Sequence, residues 1–317
     1  MVNSGKFCVV ALAVAIGAAI GTASAAEFVP VVTGLIQPTG VATDANGNLF
    51  IADHGAVSGA GAVYESLAPG YGARTLLAPS LAGNPVGIAV DQQGNVFITD
   101  AFDDTVKEIP AAGGYTTVTT LAGGFNSVGG IAVDADDNLF VAAPPANMIF
   151  ELKPSNYANK IALIHILTPE DVALDPQGNL FVAQGRNPGA IIEAFAAIGY
   201  QSTTISPALL PQPQGIAVDA QDNVFSTYPN FGTLDEVQAP AFAFPHQIAN
   251  GFAGPYGVAV DGHGNIFVAE NTGQDIVEIP NGNAVPVPAL TPGGLALLAL
   301  VLGGMAWRGL RRGTRLS

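Results

Sequence analysis

The stretch PVGIAVDQQGNVFITD, Pro85 to Asp100, decides the fold because the chain writes it six times. The other copies are PTGVATDANGNLFIAD from Pro38, VGGIAVDADDNLFVAA from Val128, PEDVALDPQGNLFVAQ from Pro169, PQGIAVDAQDNVFSTY from Pro213 and PYGVAVDGHGNIFVAE from Pro255. Between the marker aspartates Asp44, Asp91, Asp134, Asp175, Asp219 and Asp261 the steps are 47, 43, 41, 44 and 42 residues. A period in the forties, with several short strands per unit, marks the blades of a propeller.

Each copy reads the same way. A Gly ends the incoming loop, and a short apolar run such as Gly87-Ile88-Ala89-Val90 follows, bounded by turn residues as a buried strand is. Its third position is alanine throughout (Ala42, Ala89, Ala132, Ala173, Ala217, Ala259), which predicts the innermost strand, where only a small side chain fits near the axis. In the Asp-x-x-(Gly/Asp)-Asn turn, the Asp accepts backbone N–H bonds and Gly or Asn takes the positive φ of a tight hairpin. The next strand brings one aromatic per unit (Phe50, Phe97, Phe140, Phe181, Phe225, Phe267), expected to pack between neighbouring blades. Segments such as 115–121 and 160–164 read as fourth strands. No fourth strand follows Asp275–Pro280, so Glu27–Gly34 is expected to complete the last blade and close the ring.

These units resemble the NHL repeat, P-x-G-I-A-V-D-x-x-G-N-(V/I)-(Y/F)-V-A-D, over about residues 36–282. The resemblance implies an all-β, six-bladed β-propeller. The expected organisation is a signal peptide at 1–25, the propeller at 26–282, a Pro-rich linker at 283–292 and a transmembrane sorting or anchor segment with a basic tail at 293–317.

Of 317 residues, 39 are Gly and 23 are Pro, while only 11% are charged, as suits a turn-rich β protein. From Glu27 to Glu278 there are 25 acidic and five basic residues, a formal charge of −20. A surface that acidic repels phosphate backbones, which excludes nucleic acid as the expected partner. Lys6, the apolar run Phe7–Ile20 and Ala23-Ser24-Ala25 form a secretory leader cut before Ala26. The only cysteine, Cys8, lies inside it, so the mature chain has no disulfide, cysteine-ligated zinc or thiol nucleophile. Near the C-terminus, Ala289–Trp307 carries no charge over 19 residues, enough to cross a bilayer, and Arg308, Arg311, Arg312 and Arg315 follow on the cytoplasmic side. Linker, helix and arginines resemble PEP-CTERM and IPTL-CTERM sorting signals: Val285–Ala289 parallels V-P-E-P-A, and Val287–Gly294 parallels I-P-T-L-S-x-W-G. That resemblance implies an exosortase-type processing enzyme and export beyond the cytoplasmic membrane of a Gram-negative envelope, with the protein anchored or sorted to the surface.

In a propeller, the loops entering each innermost strand and those leaving each second strand converge at one mouth of the channel. Here the entry loops carry Gln37, Asn84, Glu170, Asp171, Gln214 and Tyr256, and the exit loops carry Asp53, His54, Asp100, Arg186, Tyr228 and Glu270. Glu170-Asp171 stands where the other units have x-Gly, and with Glu270 it is the candidate oxygen-ligand set for Ca²⁺ or Mg²⁺. Asp53, Asp100, Tyr228 and Tyr256 are candidate ligand-binding residues. Asp53-His54 opens a long Gly/Ala loop, making His54 a candidate general base, and Arg186, in the corresponding exit loop of the fourth unit, is the other candidate catalytic residue on that face. His165 and His246 fall in outer strands and His263 in the opposite turn. Two functions stay open. One is a surface-displayed module that binds a protein, glycan or small molecule. The alternative is a metal-dependent enzyme similar to gluconolactonase-like hydrolases or streptogramin lyases, a resemblance that implies a divalent ion at the channel mouth.

Overall fold

The computed structural model describes residues 28–79, 81–204, 211–240 and 245–281. The leader, the linker and the apolar C-terminal segment lie outside the described residues. Six four-stranded antiparallel sheets stand around one axis. Blade 2 is typical, with strands Pro85–Val90, Val96–Asp100, Thr105–Ile109 and Thr119–Gly123 from inside out. Blades 1, 3, 4 and 5 occupy residues 38–77, 131–165, 169–204 and 216–250. Blade 6 takes three strands from 255–279 and its fourth from Val29–Thr33, which pairs antiparallel with Asp275–Ile279. The ring closes as the sequence predicts. Arg74 clamps the joint from blade 1: its guanidinium donates to the Thr33 and Gly34 carbonyls and lies 4.9 Å from the Tyr64 ring centroid.

The core is six inter-blade layers. Side chains on the two faces of each sheet alternate between neighbours, so Ile88 and Val90 pack with Phe50 of blade 1 while Ala89 and Phe97 pack with Ile131 and Leu139 of blade 3. Each repeat phenylalanine sits in such a layer, at 6% exposure or less, directly across the strand pair from the repeat alanine (Ala89↔Phe97, Ala132↔Phe140). The alanines are therefore small because a phenylalanine and the next blade crowd them. They do not face the axis.

The turns need two refinements of the sequence reading. Asp91 Oδ1 accepts the N–H groups of Gln93 (2.9 Å) and Asn95 (2.8 Å), while Oδ2 accepts Asn95 Nδ2 (2.7 Å), a pattern repeated at Asp134, Asp175, Asp219 and Asp261. The positive φ falls on the fourth turn residue, Gly47, Gly94, Asp137, Gly178, Asp222 or Gly264, so the Asn that follows serves as a side-chain clasp. Second, Tyr115–Val118 is not strand; the fourth strand of blade 2 starts at Thr119. Tyr115 turns instead at φ 58°, donates its hydroxyl to Gly94 O (3.0 Å) and tilts its ring against Phe50 at 6.1 Å. Tyr71 and Tyr157 repeat the latch on Phe267 and Phe97.

Candidate functional site

The repeat glycines are not loop ends. In blades 1, 2 and 6 they sit inside the innermost strand, at an irregularity of its pairing, and they mark the narrowest approach of the blades. A Cβ on Gly87 would lie 2.8 Å from Gly130 Cα, one on Gly215 2.1 Å from Tyr256 O, and one on Gly257 2.7 Å from Thr39 O. Gly40, Gly87, Gly130, Gly215 and Gly257 thus form five-sixths of a throat that tolerates no side chain. The sixth position is Asp171.

Asp171 fits because its carboxylate replaces backbone contacts. Oδ2 accepts Ile216 N of blade 5 (3.0 Å), Oδ1 accepts Val172 N (2.8 Å), and Oδ1 occupies the space where a Gly130 side chain would stand. Burial pushes its carboxyl up to about 7, opposed by the two N–H bonds and helped by the neighbouring Glu170. The Glu170 carbonyl accepts Gly130 N (2.8 Å) and its side chain rests against Gly185, with Gln214 Nε2 at 3.4 Å from Oε2; burial raises its carboxyl too. Glu170, Asp171, Gln214 and Tyr256 line a cavity of about 50 Å³, room for a few waters.

The other sequence-predicted carboxylates are braces. Asp53, 2% exposed, accepts the N–H groups of Ile36 (2.9 Å) and Gln37 (2.7 Å). Asp100, fully buried, accepts those of Asn84 (2.8 Å) and Phe102 (2.9 Å) and pairs with Lys107 Nζ at 2.6 Å. Glu270 accepts Ala253 N (2.6 Å), and together with burial it raises its neighbour Asp275. In three blades the residue ending the second strand thus satisfies the loop entering the innermost strand, so these acids answer backbone donors that would otherwise be orphaned. The structure does not bring Glu270 to Glu170 and Asp171. Among the described residues no group of three or more His, Asp or Glu side chains could hold a metal ion.

His54 Nδ1 lies 3.2 Å from Gly55 O, and its loop is bracketed by Asn84, which accepts Gly59 N (2.7 Å) and donates to His54 O (2.6 Å). Arg186 is exposed. Tyr228 is buried between blades 4 and 5, and that burial, opposed by the neighbouring Ser226 hydroxyl, raises its own hydroxyl's pKa. Tyr256 alone of the four candidate ligand-binding residues lines the throat cavity. Around it the same face exposes Ile36, Val57, Phe102, Leu167 and Phe231, with Val57 and Phe231 at 65% and 64%. The Phe102 ring covers Gly59 of the Val57 loop.

The opposite face is a double ring of acid that the repeat reading missed. Behind the turn aspartates stands one glutamate per blade, Glu65, Glu108, Glu151, Glu193, Glu236 and Glu278, each paired across the sheet with the repeat phenylalanine. Burial, then the turn aspartates, raises Glu65, Glu108, Glu193 and Glu278. The signal was there: in four units the Glu follows the Phe by eleven residues.

Residues 285–312 match the IPTL-CTERM motif. The chain carries an IPTL-CTERM sorting signal. This resolves the two sorting-signal resemblances in favour of the second. No curated protein matches the chain. Among solved structures it is similar to a gluconolactonase from Xanthomonas campestris (TM-score 0.67, 16% identity, 82% of this chain and 92% of that one). It is also similar to virginiamycin B lyase from Staphylococcus aureus (0.58, 13%, 81% and 85%) and to a chain of a nidogen/laminin complex (0.58, 18%, 70% and 84%). At these identities the likeness establishes the six-bladed fold. Among the described residues no helix is long and apolar enough to cross a membrane.

Proposed function

We propose that the protein is exported, sorted to the envelope surface of a Gram-negative bacterium, and binds a protein or glycan partner there through the loop face of the propeller. One observation carries this reading: on the loop face Asp53, Asp100 and Glu270 are engaged by backbone N–H groups of the entry loops, while Ile36, Val57 and Phe102 stand exposed over adjoining blades. Isolated exposed apolar side chains are ordinary, but several on one loop face, rimming a polar throat, have the composition of an interaction surface. Exosortase-type processing of the C-terminal signal accounts for display.

The paired carboxylates in the throat favour a second reading, a lactone hydrolase or lyase using Ca²⁺ or Mg²⁺. The residues fit it poorly. Both oxygens of Asp171 already accept N–H groups, among the described residues no third acidic or His side chain joins the pair, and a 50 Å³ cavity is well below the roughly 300 Å³ or more of a small-molecule site. The test incubates the purified protein with lactone and streptogramin substrates and each divalent ion, alongside saturation binding to isolated envelopes and a glycan array. Saturable binding without turnover is expected. Turnover that disappears in Glu170→Gln/Asp171→Asn would establish the enzyme instead.

A further inference from the structure

The two ends of the propeller domain leave from one face. The last strand, Asp275–Ile279, runs toward the turn face, and the chain is pinned there: Asn281 N donates to Asn265 Oδ1 (2.9 Å), and its side-chain amide donates to the His263 carbonyl, both in the Asp261–Asn265 turn. The closing strand is antiparallel to it, with Val29 opposite Glu278, so the N-terminal end starts at the same rim. Residues 282–288 separate Asn281 from the uncharged run that opens at Ala289 within the sorting motif, a tether of at most about 30 Å even fully extended.

We infer that this tether fixes which face of the displayed propeller meets partners: the acidic turn face is held toward the anchoring surface and the loop face, with Val57, Phe102 and Phe231, is presented outward. Like charge opposes the arrangement only at close range. Screening at physiological salt extends about 8 Å, so across most of the tether's reach the point of attachment, not the carboxylate rings, sets the facing. The inference rests on the sorting signal and on the chain exit. It does not depend on loop-face binding.

The test uses single cysteines in the full-length chain with Cys8→Ala. Asn46→Cys and Val57→Cys lie in the same blade on opposite faces, and His263→Cys lies in the turn that holds the exit; all three positions are exposed or nearly so and outside the core. Each is coupled to a bulky, membrane-impermeant maleimide polymer on cells and again after release of the protein, which also reports folding. Where an outer layer screens all three positions, the same ratio is read on spheroplasts. Val57→Cys should react on cells at its released rate, whereas Asn46→Cys and His263→Cys should react roughly fivefold or more slowly, since a polymer larger than a gap of about 30 Å is excluded. Equal rates on the two faces, or a slowed Val57→Cys, would overturn the inference. Loss of partner binding with this labelling ratio intact would count against the binding role alone.

Discussion

Replacing Asp171 with Asn should change how stability depends on pH more than it changes stability itself. Burial in the throat lifts the folded-state pKa of this carboxyl from 3.8 to about 7. Because the folded value lies above the unfolded one, the group's contribution is fully present below about pH 4 and is lost as pH rises through 7. Three pH units at 1.36 kcal/mol each would give about 4 kcal/mol. The cavity wets one side of the carboxylate, so about half is a fairer figure, and between about pH 5 and pH 8 we expect a loss of 1–2 kcal/mol. Asn keeps the size and one acceptor, giving up one N–H bond, but it cannot titrate. Raised carboxyls elsewhere, such as Asp235 at about 6, lose stability in the same direction but are common to both proteins and cancel in the difference. Thermal unfolding of the wild type and Asp171→Asn at pH 5, 6, 7 and 8 reads the effect directly. The wild type should fall steadily against the variant, by about 2–8 °C in melting temperature for a domain of this size. Parallel profiles would refute the placement of an ionisable carboxylate in the throat.

Three further stability predictions follow from the packing. Phe97→Ala, in the layer between blades 2 and 3, should cost about 3–5 kcal/mol in a denaturant titration because the crowded layer cannot collapse onto the void. Gly215→Ala should cost about 1–3 kcal/mol, since its Cβ meets Tyr256 O at 2.1 Å, whereas Gly70→Ala, with open space around it, should be neutral or slightly stabilising by the same measurement. Asp91→Ala removes an acceptor of three hydrogen bonds and should lower the melting temperature clearly, while Asp136→Ala, whose exposed side chain is not the turn's clasp, should leave it nearly unchanged.

The fold was legible because the repeat is a packing instruction. One Phe and one Ala per unit specify each inter-blade layer, and the Asp-to-Asn turn specifies each hairpin. The missing fourth strand of the last unit told where the N-terminal strand goes. What the sequence hid was partnership. Asp53, Asp100 and Glu270 occupy the positions from which an active site would be built, and only the structure shows them answering backbone donors of the entry loops. The glycine of each unit reads as a turn residue, yet its reason is the closeness of the next blade, a long-range contact that no local pattern encodes. The one exception, Glu170-Asp171, was visible as a break in the repeat, and it does lie in the throat.

Saturation binding to isolated envelopes, comparing a loop-face variant with a turn-face variant, tests the central claim most directly. Val57→Asp/Phe102→Asp places two charges on the surface held to carry the contact, and Asn46→Lys/Gln93→Lys alters the opposite face by as many. Burying two such side chains contributes about 3–5 kcal/mol, so the loop-face variant should lose on the order of 100-fold or more in affinity. The turn-face variant should bind as the wild type does. Unchanged affinity on the loop face, with loss on the turn face, would contradict the account.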